Sequence, residues 1–289
     1  MDKELIESFR IPKLEAKVRL SDCDPELFQS IHSKSALKKK IRKELIFLNG
    51  NPGLSGNYVV EGDLIEVYKS DSSKVNAQIH LDLDLLYEDE YLAVINKPPG
   101  ILVSGNKKRT VEHALRHNLK VSNESDALEF PEAIHRLDFA TSGSLLIGKT
   151  KKAVIELNRL FENRAIEKKY NAICIGEIDQ EGEIKSSIEG KEAHTSYSVL
   201  ESKPHPKYGS LNLLDISLHT GRRNQIRIHL SQQGNPIFGD QKYGIEGLVP
   251  KGVGLFLHSR SMSFAHPFTE EIISVEAPLP SKFEKLMNK

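Results

Sequence analysis

A chain of 289 residues with 38% hydrophobic and 28% charged side chains has room for one large domain, alone or with a small one attached. Its 40 basic residues balance 40 acidic ones to a net charge of zero, which speaks against a protein that coats nucleic acid by bulk charge. No apolar run nears the roughly 20 residues of a membrane span, MDKELIESFR has no signal-peptide core, and the distant Cys23 and Cys174 suit neither a disulfide framework nor a metal site, so a cytoplasmic protein is expected.

In chain order, KSALKKKIRKELIFLNG (34–50) reads as a basic helix running into a short apolar strand and a turn. NYVVEGDLIEVY (57–68) offers two short strands about a Gly-Asp turn. KSDSSKVNAQ (69–78) is polar and without period, as a linker would be. Beyond it, LLYEDEYLAVINKPPGILV (85–103) predicts strand, turn, strand, and then a Pro-Pro-Gly loop that no helix can cross. TVEHALRHNL (110–119) and KKAVIELNRLFENR (151–164) have helical spacing, with Thr110 and Thr150 as N-caps. KKYNAICIGEI (168–178), AHTSYSVLES (193–202) and LNLLDISLHT (211–220) alternate like strands. RNQIRIHLSQQG (223–234) fits a helix closed by Gly234. Mixed strands and helices without regular βαβ alternation predict an α+β domain: a mixed, largely antiparallel sheet with helices packed on it. A small basic unit is expected over residues 1–72, a linker over 73–81 and the large domain over 82–289.

The chemistry concentrates around AIHRLDFATSGSLLIGKT (133–150), where Asp138 sits between apolar runs. A carboxylate taken out of water costs several kcal/mol unless a partner holds it. Alone, Asp138 reads as a turn former. HTGRRNQIRIHL (219–230) changes that, because it places Arg222, Arg223 and Arg227 beside residues that should be buried. Arg cannot shed its charge, so a half-buried Arg seeks a carboxylate or a phosphate. On a helix, Arg223 and Arg227 share a face. Lys97 follows an apolar strand and precedes a rigid loop, so it can project over a cleft. Tyr170 opens a strand after basic residues and can stack on a base. GNPIFGDQKYG (234–244) reads as a structured loop. No phosphate loop, dinucleotide loop or metal-ligand cluster stands out, so the residues point to an Asp-centred site with Arg partners and no cofactor.

HRLDFATSG (135–143) resembles the His-Arg-Leu-Asp signature of the RluA-type pseudouridine synthases. EDEYLAVINKPPGILV, IEKKYNAICIG, TGRRNQIRIHLSQQGNPIFGDQKYG and LFLHSRSMSFAHPFT resemble further segments of that family, in the same order, over roughly residues 82–280. Residues 30–68 resemble a shortened small RNA-binding domain shared with a ribosomal small-subunit protein. The resemblance implies isomerisation of uridine in RNA: the bond from uracil N1 to the sugar is cut, the base turns, and C5 joins the same sugar carbon. It implies no cofactor, no metal, and ribosomal or transfer RNA as the partner; no obligate protein partner is evident in the sequence, so a monomer is expected. Asp138 takes the place of the catalytic aspartate, Arg227 of the arginine that pairs with it, and Tyr170 of the tyrosine that stacks on the base. Lys97, Arg136 and Arg222 fall on positions that support the site or contact phosphate, and Leu257 lines the base pocket. Lys38, Lys39, Lys40 and Arg42 form the RNA face of the small domain.

Three features depart from the family pattern. Arg223-Asn224 stand where Thr-His is common, Phe139-Ala140 where a charged pair is frequent, and Ser259 where Ala is usual. Two rival functions are a scaffold that binds RNA without catalysis and a glycoside-type hydrolase. The kept Asp138, Arg227 and Tyr170 oppose the first. The second wants two carboxylates across the bond, and the motifs offer one.

Overall fold

The computed structural model describes residues 3–14, 16–31, 33–70, 79–105, 107 and 109–288. The first unit comprises β1 (Lys3–Arg10), β2 (Val18–Arg19), α1 (Lys34–Arg42), β3 (Ile46–Leu48), β4 (Asn51–Pro52), β5 (Tyr58–Val59) and β6 (Leu64–Ser70). Strands β1, β6, β3 and β4 pair in that order as one sheet, and β2 pairs with β5. A nine-residue helix such as α1 is marginal in isolation. Ser33 caps it by accepting from the Ala36 N–H at 3.0 Å, and Leu37 and Ile41 anchor it in a core with Leu20, Phe28, Ile31, Ile65 and Val67. Strand β1 has no counterpart among the expected elements. The linker expected over 73–81 lies outside the described residues as far as 78, and 79–81 have no regular element.

The second unit continues with β7 (Asp84–Glu88), β8 (Leu92–Lys97), α2 (Val111–Asn118), β9 (Ala127–Ala133), β10 (Ser142–Thr150), α3 (Lys151–Glu162) and β11 (Glu167–Ile175). It ends with β12 (Glu181–Ile184), β13 (Thr195–His205), β14 (Gly209–Leu218), α4 (Gln225–Gln232), β15 (Leu257–Ala265), β16 (Ile272–Glu276) and α5 (Ser281–Met287). Its sheet runs β12-β13-β14-β11-β15-β10-β8-β7, with β9 on β10 and β16 on β15. Every pairing in it is antiparallel except β10 on β15.

Alternation along the central strands sorts side chains onto two faces. Ala93, Ile95, Leu145 and Ile147 join a core with α2, α4 and α5, while Leu92, Val94 and Leu146 join another with α3. All nine residues of β10 are buried. Thr110 and Thr150 cap α2 and α3 as their spacing predicts, accepting from His113 and Ala153 N–H. At the end of α4, Gly234 adopts φ +84°, and the Asn235 and Gly234 N–H groups return to Leu230 and Ser231 carbonyls at 2.9 and 3.0 Å, closing the helix as glycine allows. Among the described residues no helix is long and apolar enough to cross a membrane.

The parallel contact matters most for function. Ser142 and Gly143 at the start of β10 lie on His258 and Ser259 of β15. Gly143 has φ +112°, and a Cβ there would stand 2.1 Å from the Ser259 carbonyl oxygen, so only glycine lets the strands close. Asp138 lies four residues before this seam, and Tyr170 lies across β15, paired with Ser259.

Candidate active site

Residues 134–141 join β9 to β10 and are pinned from several sides. His135 accepts the Leu146 N–H on Nε2 at 3.1 Å. Burial, helped by the Lys168 charge, pushes its pKa down to about 3, so the ring is a neutral strut. Leu137 is buried in the core. Asp138 to Thr141 form a tight turn closed by the Thr141 N–H on the Asp138 carbonyl at 3.1 Å. Phe139 sits in that turn as a 55% exposed residue, and its carbonyl accepts the Gly100 N–H at 2.7 Å.

Lys97 does not project over a cleft. It is fully buried, and its ammonium donates to the carbonyls of Thr141 at 2.7 Å, Pro98 at 3.0 Å and Phe139 at 3.5 Å. Burial pulls its pKa down to about 8 against the nearby charge of Asp138. Of the two roles expected for Lys97, support of the site or contact with phosphate, these contacts fit the first: it holds the backbone of the turn that presents Asp138.

Arg227 carries the other side. Its Nη1 donates to Asp138 Oδ2 at 3.0 Å, and its Nε and Nη2 donate to the two oxygens of Asp240 at 2.7 and 2.8 Å. Asp138 is 21% exposed and Asp240 fully buried. Burial works against the Arg227 cation, but the bonds and charges of Asp240 and then Asp138 outweigh it and raise its pKa. Asp240 meets the same opposition. Arg227 and the N–H groups of Lys242 and Tyr243 hold its carboxyl below the usual range despite burial. Among the described residues Asp138 Oδ1 receives no hydrogen bond, which leaves one oxygen of the ion-paired, partly exposed carboxylate without a partner.

Tyr170 is buried in the core cluster beside this pair. Burial pushes its phenol up to about 12; a bond to Ser259 opposes this and the Asp138 charge adds to it, so the ring is neutral. Leu257 begins β15 opposite Ala172 and lies in the same cluster. Arg136 is exposed beside the turn, and Arg222 is half-buried with Nε on the Glu192 carbonyl at 2.9 Å. Neither bonds to Asp138 among the described residues.

Arg223 does not share a helix face with Arg227. Helix α4 begins only at Gln225, because Asn224 takes a left-handed φ of 57°, and Arg223 lies exposed before it. Among the described residues the basic residues of α1 make no hydrogen bond or ion pair with Asp138, Arg227 or Asp240. Lys38 stands 3.6 Å from Asp22, Lys40 is half-buried with Nζ 3.4 Å from the Tyr68 carbonyl, and Lys39 and Arg42 are exposed. The two units touch elsewhere, through Arg159 on Glu26 at 2.9 Å and Lys151 on the Phe28 carbonyl.

Asp240, Asn224 and Tyr243 were not expected to belong to the site. A signal existed for Asp240: a guanidinium has five donors, and one partly exposed carboxylate leaves most of them unmet. The neutral partner Asn224 accepts from the same Nη1 at 3.0 Å.

A family profile described as RNA pseudouridylate synthase matches residues 91–232. The chain is 31% identical to "Ribosomal large subunit pseudouridine synthase C" of Rickettsia bellii, over 88% of this chain and 92% of that protein. It is 31% identical to "Ribosomal large subunit pseudouridine synthase D" of Haemophilus influenzae, over 93% and 90%. An "Uncharacterized RNA pseudouridine synthase" of Chlorobaculum parvum is 32% identical over 96% of both. Among solved structures, "Human RNA Pseudouridylate Synthase Domain Containing 1" superposes with a TM-score of 0.57 at 24% identity, covering 69% of this chain and 87% of that one, which supports the fold. By this relationship, the chain belongs to the RNA pseudouridine synthases, isomerases that turn uridine into pseudouridine within RNA.

Proposed function

We propose that the protein isomerises uridine in ribosomal RNA, with Asp138 as the carboxylate that acts at the sugar. The observation that carries this reading is the Asp138–Arg227 ion pair at 3.0 Å, held at the mouth of the sheet seam beside the buried Tyr170 ring. The ribosomal preference rests on the names of the relatives from Rickettsia bellii and Haemophilus influenzae. In the reaction the bond from C1′ to N1 breaks, the bond from C1′ to C5 forms, and the hydrogen of C5 is replaced by one on N1. No atom is gained or lost. Attack on C1′ and removal of a sugar proton both need a carboxylate held at the sugar, and the Arg227 bond at 3.0 Å orients this one. The uridine must leave its stack to reach the site. Tyr170, neutral and rigidly packed, would then stack on its base. Residues 3–70, with Lys38, Lys39 and Arg42 exposed or half-paired on α1, would grip RNA outside the site.

The test compares wild type with Asp138→Asn on large-subunit ribosomal RNA transcribed in vitro, mapping pseudouridine by carbodiimide labelling. Turnover should fall at least 10²- to 10⁴-fold, the range for losing an acting acid–base group, while RNA binding persists. An active Asp138→Asn enzyme would overturn the catalytic reading. Wild type that modified transfer RNA and left ribosomal RNA unchanged would overturn the substrate reading alone.

A further inference from the structure

We propose that Asn224 is a positioning residue that fixes how Arg227 presents its guanidinium to Asp138; this rests on Asp138 being the acting carboxylate. Asn224 stands at the N-cap of α4, where an Asn side chain ordinarily accepts from the first free N–H groups. Here it makes no cap bond, and its backbone sits at φ 57°, ψ 24°. The amide turns to the site instead. Its Oδ1 accepts from Arg227 Nη1 at 3.0 Å, and its Nδ2 donates to the Tyr243 hydroxyl at 3.2 Å. A guanidinium only donates, so the amide has one way round.

Nη1 carries two hydrogens. One goes to Asp138 Oδ2 at 3.0 Å and the other to Asn224 Oδ1 at 3.0 Å. The paired bonds from Nε and Nη2 to Asp240 set one edge of the guanidinium, but a planar fork on a carboxylate can still tilt about that edge. Asn224 removes the tilt from one side. The Tyr243 ring, 5.1 Å from the guanidinium carbon, removes it from the face. Tyr243 is itself held by the Asn224 amide, and its carbonyl accepts from Ser231 Oγ of α4 at 2.7 Å. Asn224 therefore ties the ring, the arginine and the helix start into one clamp, and the hydrogen left on Nη1 is aimed at Asp138.

Glycine separates backbone from side chain at this position. It adopts a left-handed φ without strain, so Asn224→Gly keeps the turn and deletes the amide. Histidine tolerates that region better than most residues, and its Nδ1 accepts in place of Oδ1 without adding charge. On ribosomal RNA that the wild type modifies, Asn224→Gly should lower kcat ten- to hundredfold, as small misplacements of reacting groups do. KM should stay within about twofold, because lost positioning lowers kcat alone. Relief of the left-handed backbone at φ 57° should offset part of the lost hydrogen bonding, so the melting temperature should fall by far less than for Arg227→Ala. Asn224→His should recover most of the lost kcat. A wild-type kcat for Asn224→Gly, a loss confined to KM, or an Asn224→His enzyme as slow as Asn224→Gly would each overturn the proposal. Asp138→Asn runs beside them. Its retained activity would sink the catalytic reading itself, whereas a silent Asn224→Gly beside an inactive Asp138→Asn would sink only the positioning role.

Discussion

The Asp138 turn and helix α1 are both rich in cations, yet they use them in opposite ways. Around Asp138 the two buried or half-buried cations are committed to the protein: Arg227 to two carboxylates and an amide, Lys97 to three backbone carbonyls. On α1, Lys39 and Arg42 lie exposed and Lys38 faces Asp22 across 3.6 Å of open surface. The residue types are alike. Burial decides whether a positive charge builds a site or waits for a polyanion, because an exposed ion pair is worth at most about 1 kcal/mol and a buried one cannot be broken cheaply.

Removing Arg227 tests the committed side most severely. Arg227→Ala leaves Asp240, fully buried, and Asp138 without a cation between them. Unfolding free energy should drop by about 3–5 kcal/mol, the cost of orphaning a buried charge, and turnover should vanish. Arg227→Lys restores the charge but not the fork; it should recover much of the stability and little of the turnover. Urea unfolding and pseudouridine formation, measured on both variants, check this. If Arg227→Ala were as stable as wild type, the clamp would be a surface pair and the contrast with α1 would collapse.

Lys97 should give a smaller effect with a distinctive pH dependence. Lys97→Met removes the donor from the Phe139 and Thr141 carbonyls, so turnover should fall about tenfold, from a net hydrogen-bond loss on the order of 1–1.5 kcal/mol. Its folded pKa near 8 lies below the ordinary 10.5. Between those values the unfolded chain binds a proton that the native state does not, so stability rises with pH across that window. Relative to Lys97→Met, wild type should gain up to about 3 kcal/mol between pH 8 and 10.5. A flat difference would mean that Lys97 meets solvent.

Much of this was legible in the sequence, and the misses have physical causes. The α+β class and the caps at Thr110 and Thr150 follow from local signals, and the need of Asp138 for an arginine follows from its charge; that the arginine is Arg227 is what the family resemblance implied. Strand β1 was illegible because its buried residue is Glu7, whose carboxylate accepts Ser30 N–H and Oγ at 2.8 and 2.6 Å; an inward carboxylate erases the alternation that marks a strand. Arg223 was misplaced because a left-handed Asn224 delays the helix, and periodicity cannot see backbone sign. Lys97 was expected over a cleft because nothing local reveals the turn 42 residues later in the chain whose carbonyls it meets.

The smallest effect tests the uncommitted side. If α1 grips phosphate, each cation lost should make the slope of log affinity against log salt shallower by about 0.7–0.9. Lys39→Ala with Arg42→Ala should thus change the slope by about 1.4–1.8, weaken RNA binding and leave kcat at saturating RNA untouched. Lys40 supplies the control. Its ammonium already reaches the Tyr68 carbonyl and burial lowers its pKa, so Lys40→Ala should lower the melting temperature and leave the salt slope alone. An equal slope change for all three would mean that burial does not sort these cations. No slope change for Lys39 and Arg42 would place the RNA on another face of the small unit.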